Sequence, residues 1–445
     1  MAILDTAAQS LRERTLNALS PETWPFSLEW LPADAYLVGG AVRDALLSSR
    51  CLRGFCASAA AAQPLASRRH RRREYLDLDF VMPADAVKTA KQIASHYLAG
   101  FVVLDADRQI ARVVFSRLTI DFAQQEGETL AADLGRRDFT INAIAYHLQR
   151  GELVDPLGGC ADLEAGIIRM VSRQNLQDDP LRLLRAYRQA AQLGFAIEPE
   201  TSSTIGELAP HLSRVAAERV RVEVEFMLDN ACGTIFLQAA FENSLLAPWF
   251  PSATAAGLAR VAAVDRAFVL LAECWPDLGV KRQASLLETQ KTSWLSIAKL
   301  ASLLNPDPQK AEAELLHLKY SRVELRATLA ALKSLPQLQA GPMSLREQYF
   351  FFREVGEAFP AACVLAVASG VEKEAISPMI DRYLDPQDPA AHPTALVTGT
   401  DLMSALNLPR GRQIGKLLTE IQIAQVEGKV STAAEALEFA AQLLN

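Results

Sequence analysis

The stretch "RRREYLDLDFVMP", residues 71–83, places two carboxylates two apart inside what otherwise reads as a buried strand. Strand side chains alternate between faces, so Leu76, Leu78 and Phe80 share one face and Asp77 and Asp79 the other. The two carboxylates then lie roughly 7 Å apart and repel unless positive charge stands between them. Two readings follow. One is an alternating strand with a solvated polar face. The other is a site for a hard divalent cation such as Mg²⁺, which takes carboxylate oxygens and usually brings phosphates with it.

The chain has 445 residues, 50% of them hydrophobic and 22% charged, which predicts a globular protein of several domains. No apolar run is long enough to span a membrane. The first twenty residues alternate charged and apolar positions like an amphipathic helix. They lack the basic start, apolar core and cleavage site of a signal peptide. The six cysteines form no CxxC or Cys/His cluster, so neither zinc nor a disulfide scaffold is expected, and a reducing, cytoplasmic setting is. The net charge of −7 speaks against a nucleic-acid partner, but basic residues cluster. "RRHRRR" fills 68–73, Arg182, Arg185 and Arg188 form a second set, and Arg214, Arg219 and Arg221 a third.

Strands are expected at 35–38, 75–82, 101–105, 110–116 and 117–123, and a helix near 84–98. Residues 51–73, rich in Ala, Ser and Arg without periodicity, read as a surface insertion. From about 133 helical signals dominate, with an apolar helix expected to begin near Phe139. This order predicts an α+β head with a mixed sheet on an otherwise helical chain.

Around the carboxylate strand lie further candidates. "YLVGGAVRDALL" is a strand, a glycine pair and a helix start. Gly39 and Gly40 would let backbone N–H groups approach a phosphate, and Arg43 stands in the first turn. The same pattern also describes a plain strand-to-helix turn. Asp121 in "LTIDFAQ" alternates with Ile120 and Phe122; it either faces the same cleft from a neighbouring strand or decorates an edge. In "LGRRDFTINAIAY", Asp138 is an N-cap or a site residue, while Arg137 could hold phosphate and Asn142 a ribose hydroxyl. In "LQDDPLRLLRAYRQAAQLGF", Asp178-Asp179-Pro180 is a helix start, and Arg182, Arg185 and Arg188 recur every three residues along one face, opposite Leu181, Leu184 and Ala191.

Taken in order, "LVGGAVRDALL", "DLDF", "RRDFTINAIAY", "DPLGGCADLEAGIIRMV" and "DDPLRLLRAYR" resemble the class II CCA-adding enzyme and bacterial poly(A) polymerase family, and the tail "LVTGTDLMSALNLPRGRQIGKLL" is similar to that family's tail. The resemblance implies a nucleotidyltransferase head over 1–150, a neck over 151–230, a helical body over 231–340 and a helical tail over 341–445. It implies the tRNA 3′ end as substrate and CTP, with or without ATP, as donor. Asp77 and Asp79, with Asp121 nearby, would be catalytic, the first two holding two Mg²⁺ ions. Gly39, Gly40, Arg43, Arg137, Asp138 and Asn142 would bind nucleotide. The positions matching Asp179 and Arg182 would read the base, with Arg185 and Arg188 orienting them. Cytosine and adenine both show an amino donor beside a ring-nitrogen acceptor, so an Asp and an Arg accept both and reject uracil and guanine.

The chain departs from the family's usual pattern in having Asp178 where Glu is customary, in the insertion, and in a short span between Asp121 and the "RRD" motif. A short span is what CC-adding members of the family show. The resemblance therefore favours addition of CC, completed by a separate A-adding enzyme, over full CCA addition, poly(A) synthesis, or a catalytically silent RNA-binding role.

Overall fold

The computed structural model describes residues 21–48, 76–230, 232–278 and 293–444. The insertion at 51–73 and the amphipathic N-terminus lie outside the described residues.

Alternation of apolar and polar residues builds the sheet. Strands β1 (Tyr36–Val38), β2 (Leu76–Met82), β3 (Gly100–Asp105), β4 (Ile110–Val114), β5 (Leu118–Gln124), β6 (Ala145–His147) and β7 (Glu152–Val154) form one sheet in the order β3-β4-β5-β2-β1-β6-β7. Only β2 and β5 pair in parallel, so the sheet is mixed. Leu78, Phe80, Ile120, Phe122, Ala111 and Val113 are buried. Helix α1 (Gly40–Ser48) follows β1 through the glycine pair, and α2 (Ala86–His96) lies against β3, β4 and β5. Gly39 takes φ +73°, the left-handed region a glycine enters without steric penalty.

The structure corrects the reading of residues 133 onward. "RRDFTINAIAY" is not the start of a helix. A short helix, α3 (Leu130–Leu134), precedes it, a 3₁₀ turn covers Thr140–Asn142, and the chain then enters β6. The run Ala143–Tyr146 is wholly buried, as a central strand requires, and a short apolar run does not distinguish such a strand from a buried helix. Helices α4 (Gly159–Ala165), α5 (Arg173–Asp178), α6 (Leu181–Leu193) and α7 (Pro199–Leu208) follow, with β8 (Ile167–Ile168) and β9 (Ala196–Ile197) paired in parallel. Asp179 and Pro180 join α5 to α6. Pro180 occupies the N-cap, and the Asp179 carboxylate accepts from the Leu181 N–H at 3.3 Å.

The chain divides into two compact units. The first runs to Val215 and includes Asn243–Leu245; the second holds Ala216–Glu242 and the residues from Leu246 onward. The second unit is helical. At its centre Lys299, fully buried, forms an ion pair of 2.8 Å with Asp265. No helix among the described residues is long and apolar enough to cross a membrane.

The 3₁₀ turn at Thr140 is braced by α4. Asp155 accepts from the N–H groups of Gly159 (2.7 Å) and Cys160 (2.8 Å), and the Thr140 hydroxyl donates to Asp162 at 2.7 Å. A Cβ at Gly159 would come within 2.2 Å of the Thr140 carbonyl oxygen. Gly159→Ala is therefore expected to cost about 1–3 kcal/mol of stability in urea unfolding. Gly415→Ala, where a Cβ meets nothing within 4 Å, should be neutral or slightly stabilising.

Candidate active site

The two faces of β2 differ at its N-terminal end and converge at Val81, which is buried. Leu78 and Phe80 are buried, Asp77 is exposed and Asp79 only partly covered. Parallel pairing sets Asp79 directly opposite Asp121, and Asp77 opposite Thr119. Opposed residues on neighbouring strands share a face. Asp121 thus stands beside Asp79 on a face that is open at Asp77 and closed at Val81, which packs with Val38, Leu134 and Ala143.

Two arginines offset this charge. Arg112, opposite Asp121 on β4, grips it with a bidentate fork: Nε donates to Oδ1 at 2.7 Å and Nη2 to Oδ2 at 2.8 Å. Arg137 approaches from the other side. A Cβ at Gly39 would have Arg137 Nη1 at 3.2 Å and Asp79 Oδ2 at 3.4 Å, so the glycine is the floor between an arginine and a carboxylate. Arg137 also reaches Asp133 at 3.6 Å and the Asn142 carbonyl at 3.5 Å, and its buried Nε has no hydrogen-bond partner among the described residues. Asp79 itself accepts no hydrogen bond from a described residue. Burial pushes its carboxyl up to about 6, with Asp121 and then Asp77 adding to the rise and Arg137 and Arg112 opposing it.

A buried polar network lies behind the "RRD" turn. Asp138 Oδ1 accepts from the Phe139 N–H and from Asn142 Nδ2, both at 2.8 Å. Its Oδ2 accepts from Arg185 (Nε 3.0 Å, Nη2 2.9 Å) and Gln189 (3.3 Å). Burial alone would raise Asp138, but Arg185 and these hydrogen bonds hold it below the ordinary carboxylate value. Arg43 closes the network. It is 7% exposed, donates from Nη1 to Asn142 (2.8 Å) and Gln189 (3.3 Å), and pairs with Asp44. Its fork is engaged by the protein and ties α1 to α6.

The arginine stripe on α6 is half-buried at Arg182, Arg185 and Arg188, between buried Leu181, Leu184 and Ala191. Arg182 Nη1 donates to the carbonyls of Arg136 (2.8 Å) and Asn175 (3.2 Å), while Arg188 donates to Gln192 at 3.1 Å. Asn175 in turn donates to the carbonyls of Gly135 and Arg137, both at 2.8 Å. The joint carrying Asp179 and Arg182 is thereby stitched to the "RRD" turn.

Sequence reasoning missed Arg112, Gln189 and Asn175. Only a strand register could have revealed Arg112. Gln189 carried a weak signal, since it lies four residues after Arg185 on the same side of α6.

Residues 35–169 match the poly A polymerase head domain, 194–256 a probable RNA- and SrmB-binding site of polymerase A, and 287–441 a putative tRNA nucleotidyltransferase domain 2. The chain is 46% identical over 429 residues to a CC-adding tRNA nucleotidyltransferase of Synechocystis sp., covering 94% of this chain and 96% of that one. The chain belongs to the tRNA nucleotidyltransferase family. A CC-adding tRNA nucleotidyltransferase of Geobacter sulfurreducens is 34% identical, covering 92% of this chain and 91% of its own. The fold is shared with the Thermotoga maritima CCA-adding enzyme complexed with tRNA, at a TM-score of 0.65 and 22% identity, covering 92% and 91% of the two chains.

Nucleotidyltransferases of this family generally use a divalent metal, and the donor set fits one. Asp77 and Asp79 offer hard oxygens on an open face, and Asp79 stands among like charges that its arginines only partly offset. Among the described residues no three ligating side chains are set closely enough to cage a metal. That suits a cation held by one or two carboxylates plus water and substrate phosphate.

The raised Asp79 has a thermodynamic consequence. Its folded value lies above the ordinary 3.8, so the metal-free fold binds this proton more tightly than the unfolded chain does. That stabilisation is complete below about pH 4 and is lost as pH rises through about 6. In EDTA, Asp79→Asn should exceed the wild type in stability by about 3 kcal/mol at pH 8, and the gap should close by about pH 4. Urea unfolding at both pH values checks this; a gap independent of pH would contradict it.

Proposed function

We propose that the protein is a template-independent, Mg²⁺-dependent nucleotidyltransferase that adds CC to the 3′ end of tRNA in the cytoplasm, with a separate enzyme adding the terminal A. The observation that carries the choice of product is the connection between β5 and the "RRD" motif. Only residues 125–129 separate β5 from α3. That turn is pinned: Glu126 N–H donates to Asp133 at 3.0 Å, Arg136 pairs with Glu126 at 2.6 Å, and Gln125 N–H donates to the Met82 carbonyl at 2.8 Å. No long mobile segment stands here to reshape the pocket from CTP to ATP. Full-length relatedness to enzymes named for CC addition supports the same choice.

In this reading Asp77 and Asp79 hold the metal, and Asp121 sets the charge beside them. The chemistry supplied by bound Mg²⁺ is neutralisation of the triphosphate and activation of the RNA 3′-hydroxyl. The 3′-oxygen bonds to the α-phosphorus of CTP, the bond from that phosphorus to the bridging oxygen breaks, and pyrophosphate leaves. Gly39 and Gly40 leave room for the phosphates, and Arg137, with its unpartnered buried Nε, is their cation. Asp179 and Arg182 read the cytosine edge, oriented by Arg185 and Arg188. Asp138, Asn142 and Arg43 hold that reader against the phosphate end. A cytosine edge requires an acceptor for its amino group and a donor for its ring nitrogen, which an Asp and an Arg supply.

The test uses Mg²⁺ and a tRNA transcript ending at nucleotide 73, with CTP, ATP or both, and products resolved to one nucleotide. Two C residues and no A are expected; growth by CCA would show that the short turn suffices for ATP. Asp77→Ala should abolish transfer while leaving tRNA binding largely intact. Arg182→Ala should lower CTP-over-UTP discrimination by about tenfold or more, since a buried unpaired hydrogen-bonding group costs on the order of 1–3 kcal/mol. Unchanged selectivity would remove Arg182 from base reading.

A further inference from the structure

The strand register sets Asp79 on β2, Asp121 on β5 and Arg112 on β4 in one row across the sheet. Residues opposed on neighbouring strands share a face, so Asp121 has two neighbours to turn to. One is Asp79, with the cation that Asp79 would hold; the other is Arg112. The carboxylate turns to Arg112. Both of its oxygens accept from that one guanidinium, Oδ1 from Nε at 2.7 Å and Oδ2 from Nη2 at 2.8 Å, and the Arg112 side chain makes no other hydrogen bond among the described residues. A fork of this kind fixes the plane of the carboxylate as well as its distance, so the Asp121 oxygens are directed at β4 and away from β2. The pair is not buried: the Arg112 side chain is 43% exposed and that of Asp121 24%. An ion pair so open to water adds little to stability, which makes stability a poor reason for it. A separate observation agrees. Asp77, Asp79 and Asp121 occupy neighbouring positions of the sheet, yet among the described residues no three ligating side chains are grouped closely enough to cage a metal.

We infer that Arg112 is a positioning residue for nucleotidyl transfer: it holds Asp121 aside, so that the cation at Asp77 and Asp79 meets two carboxylates and not three. The inference rests on the nucleotidyltransferase reading and adds to it a residue that acts through Asp121. The number of carboxylates matters chemically. Mg²⁺ demands a near-octahedral set of oxygens, and where it serves phosphates it is held by one or two carboxylates with water and substrate completing the set. A third carboxylate would fill a position that a triphosphate oxygen or the RNA 3′-oxygen needs. It would also add negative charge where an anionic triphosphate has to arrive. Arg112 removes both obstacles at once, since the fork that directs Asp121 away also neutralises it. On the other side of Asp79, Arg137 Nη1 lies across the floor at Gly39. The carboxylates are thus flanked by a cation at each end of the row, and only Arg112 engages both oxygens of its partner.

The test uses the full-length protein and Mn²⁺ as the probe, with free Mn²⁺ followed by electron paramagnetic resonance in the absence of nucleotide. Arg112→Met frees Asp121 and keeps an apolar stem on an exposed position, so folding should survive. It should tighten Mn²⁺ binding by about tenfold, the effect of one more carboxylate ligand. A purely structural role predicts the opposite sign or no change. Arg112→Met combined with Asp121→Asn removes the ion pair and leaves the net charge of the site as it was; its Mn²⁺ affinity should stay within about twofold of the wild type. With Mg²⁺, CTP and a tRNA transcript ending at nucleotide 73, Arg112→Met should lower kcat by about tenfold while the Mg²⁺ concentration giving half the maximal rate falls. A double variant that binds Mn²⁺ about tenfold more weakly would make Asp121 a ligand of the cation and overturn the inference. Unchanged or weaker Mn²⁺ binding in both Arg112→Met and Arg112→Leu would overturn it as well. Either result leaves the nucleotidyltransferase reading standing. If instead the wild type adds nothing to any RNA 3′ end, that reading fails and takes the role of Arg112 with it.

Discussion

The architecture of the first unit depends on one unfavourable juxtaposition, Asp79 facing Asp121 across a parallel strand pair with Asp77 beside them. Carboxylates so placed raise one another's proton affinity, and partial burial of Asp79 sharpens the effect. A sheet built for stability alone would not put them there. The fold tolerates the arrangement because each flank supplies an arginine: Arg112 as a bidentate partner to Asp121, and Arg137 reaching Asp79 over the glycine floor. Neither arginine closes the site. The residual negative charge is held in place by backbone register, a more rigid support than a loop and one that would suit a divalent cation.

The same economy of parts governs the second half of the site. Asp138 is a buried hub whose carboxylate joins Asn142, Arg185, Gln189 and its own backbone neighbour, while Arg43 reaches the same amides from α1. Buried polar networks are stable only when every member is satisfied. This one links the glycine turn to the helix carrying Arg182, so the phosphate end and the base end of a nucleotide would be held to one geometry. Asn175 and Arg182 extend the link to the carbonyls of residues 135–137. Groups fixed in this way would let hydrogen-bond direction discriminate among bases.

Much of this was legible in the chain before any coordinates. Alternation in "LDLDF" sorted carboxylates from core because a strand's period is two, and the paired glycines and the capped arginine helix were equally local signals. Failure came where local pattern is degenerate. The apolar run after Phe139 has the composition of a helix yet is a 3₁₀ turn entering a strand, because a short buried strand and a buried helix segment share a composition. Gln189 and Asn175 passed unremarked because an amide has no chemistry of its own until its partners are known.

The sequence by itself determined which residue types lie on which face, the order of head and helical remainder, and the family to which the chain belongs. These follow from short-range periodicity and from motifs read in order. Only the tertiary structure decided that Asp121 stands opposite Asp79, that Arg112 holds Asp121, and that Arg43 turns inward. Each of these is a fact of register between strands or of contact between segments tens of residues apart. Hydrophobic pattern along one strand fixes which way its side chains point, but the neighbour each one meets is set by how the strands slide into place.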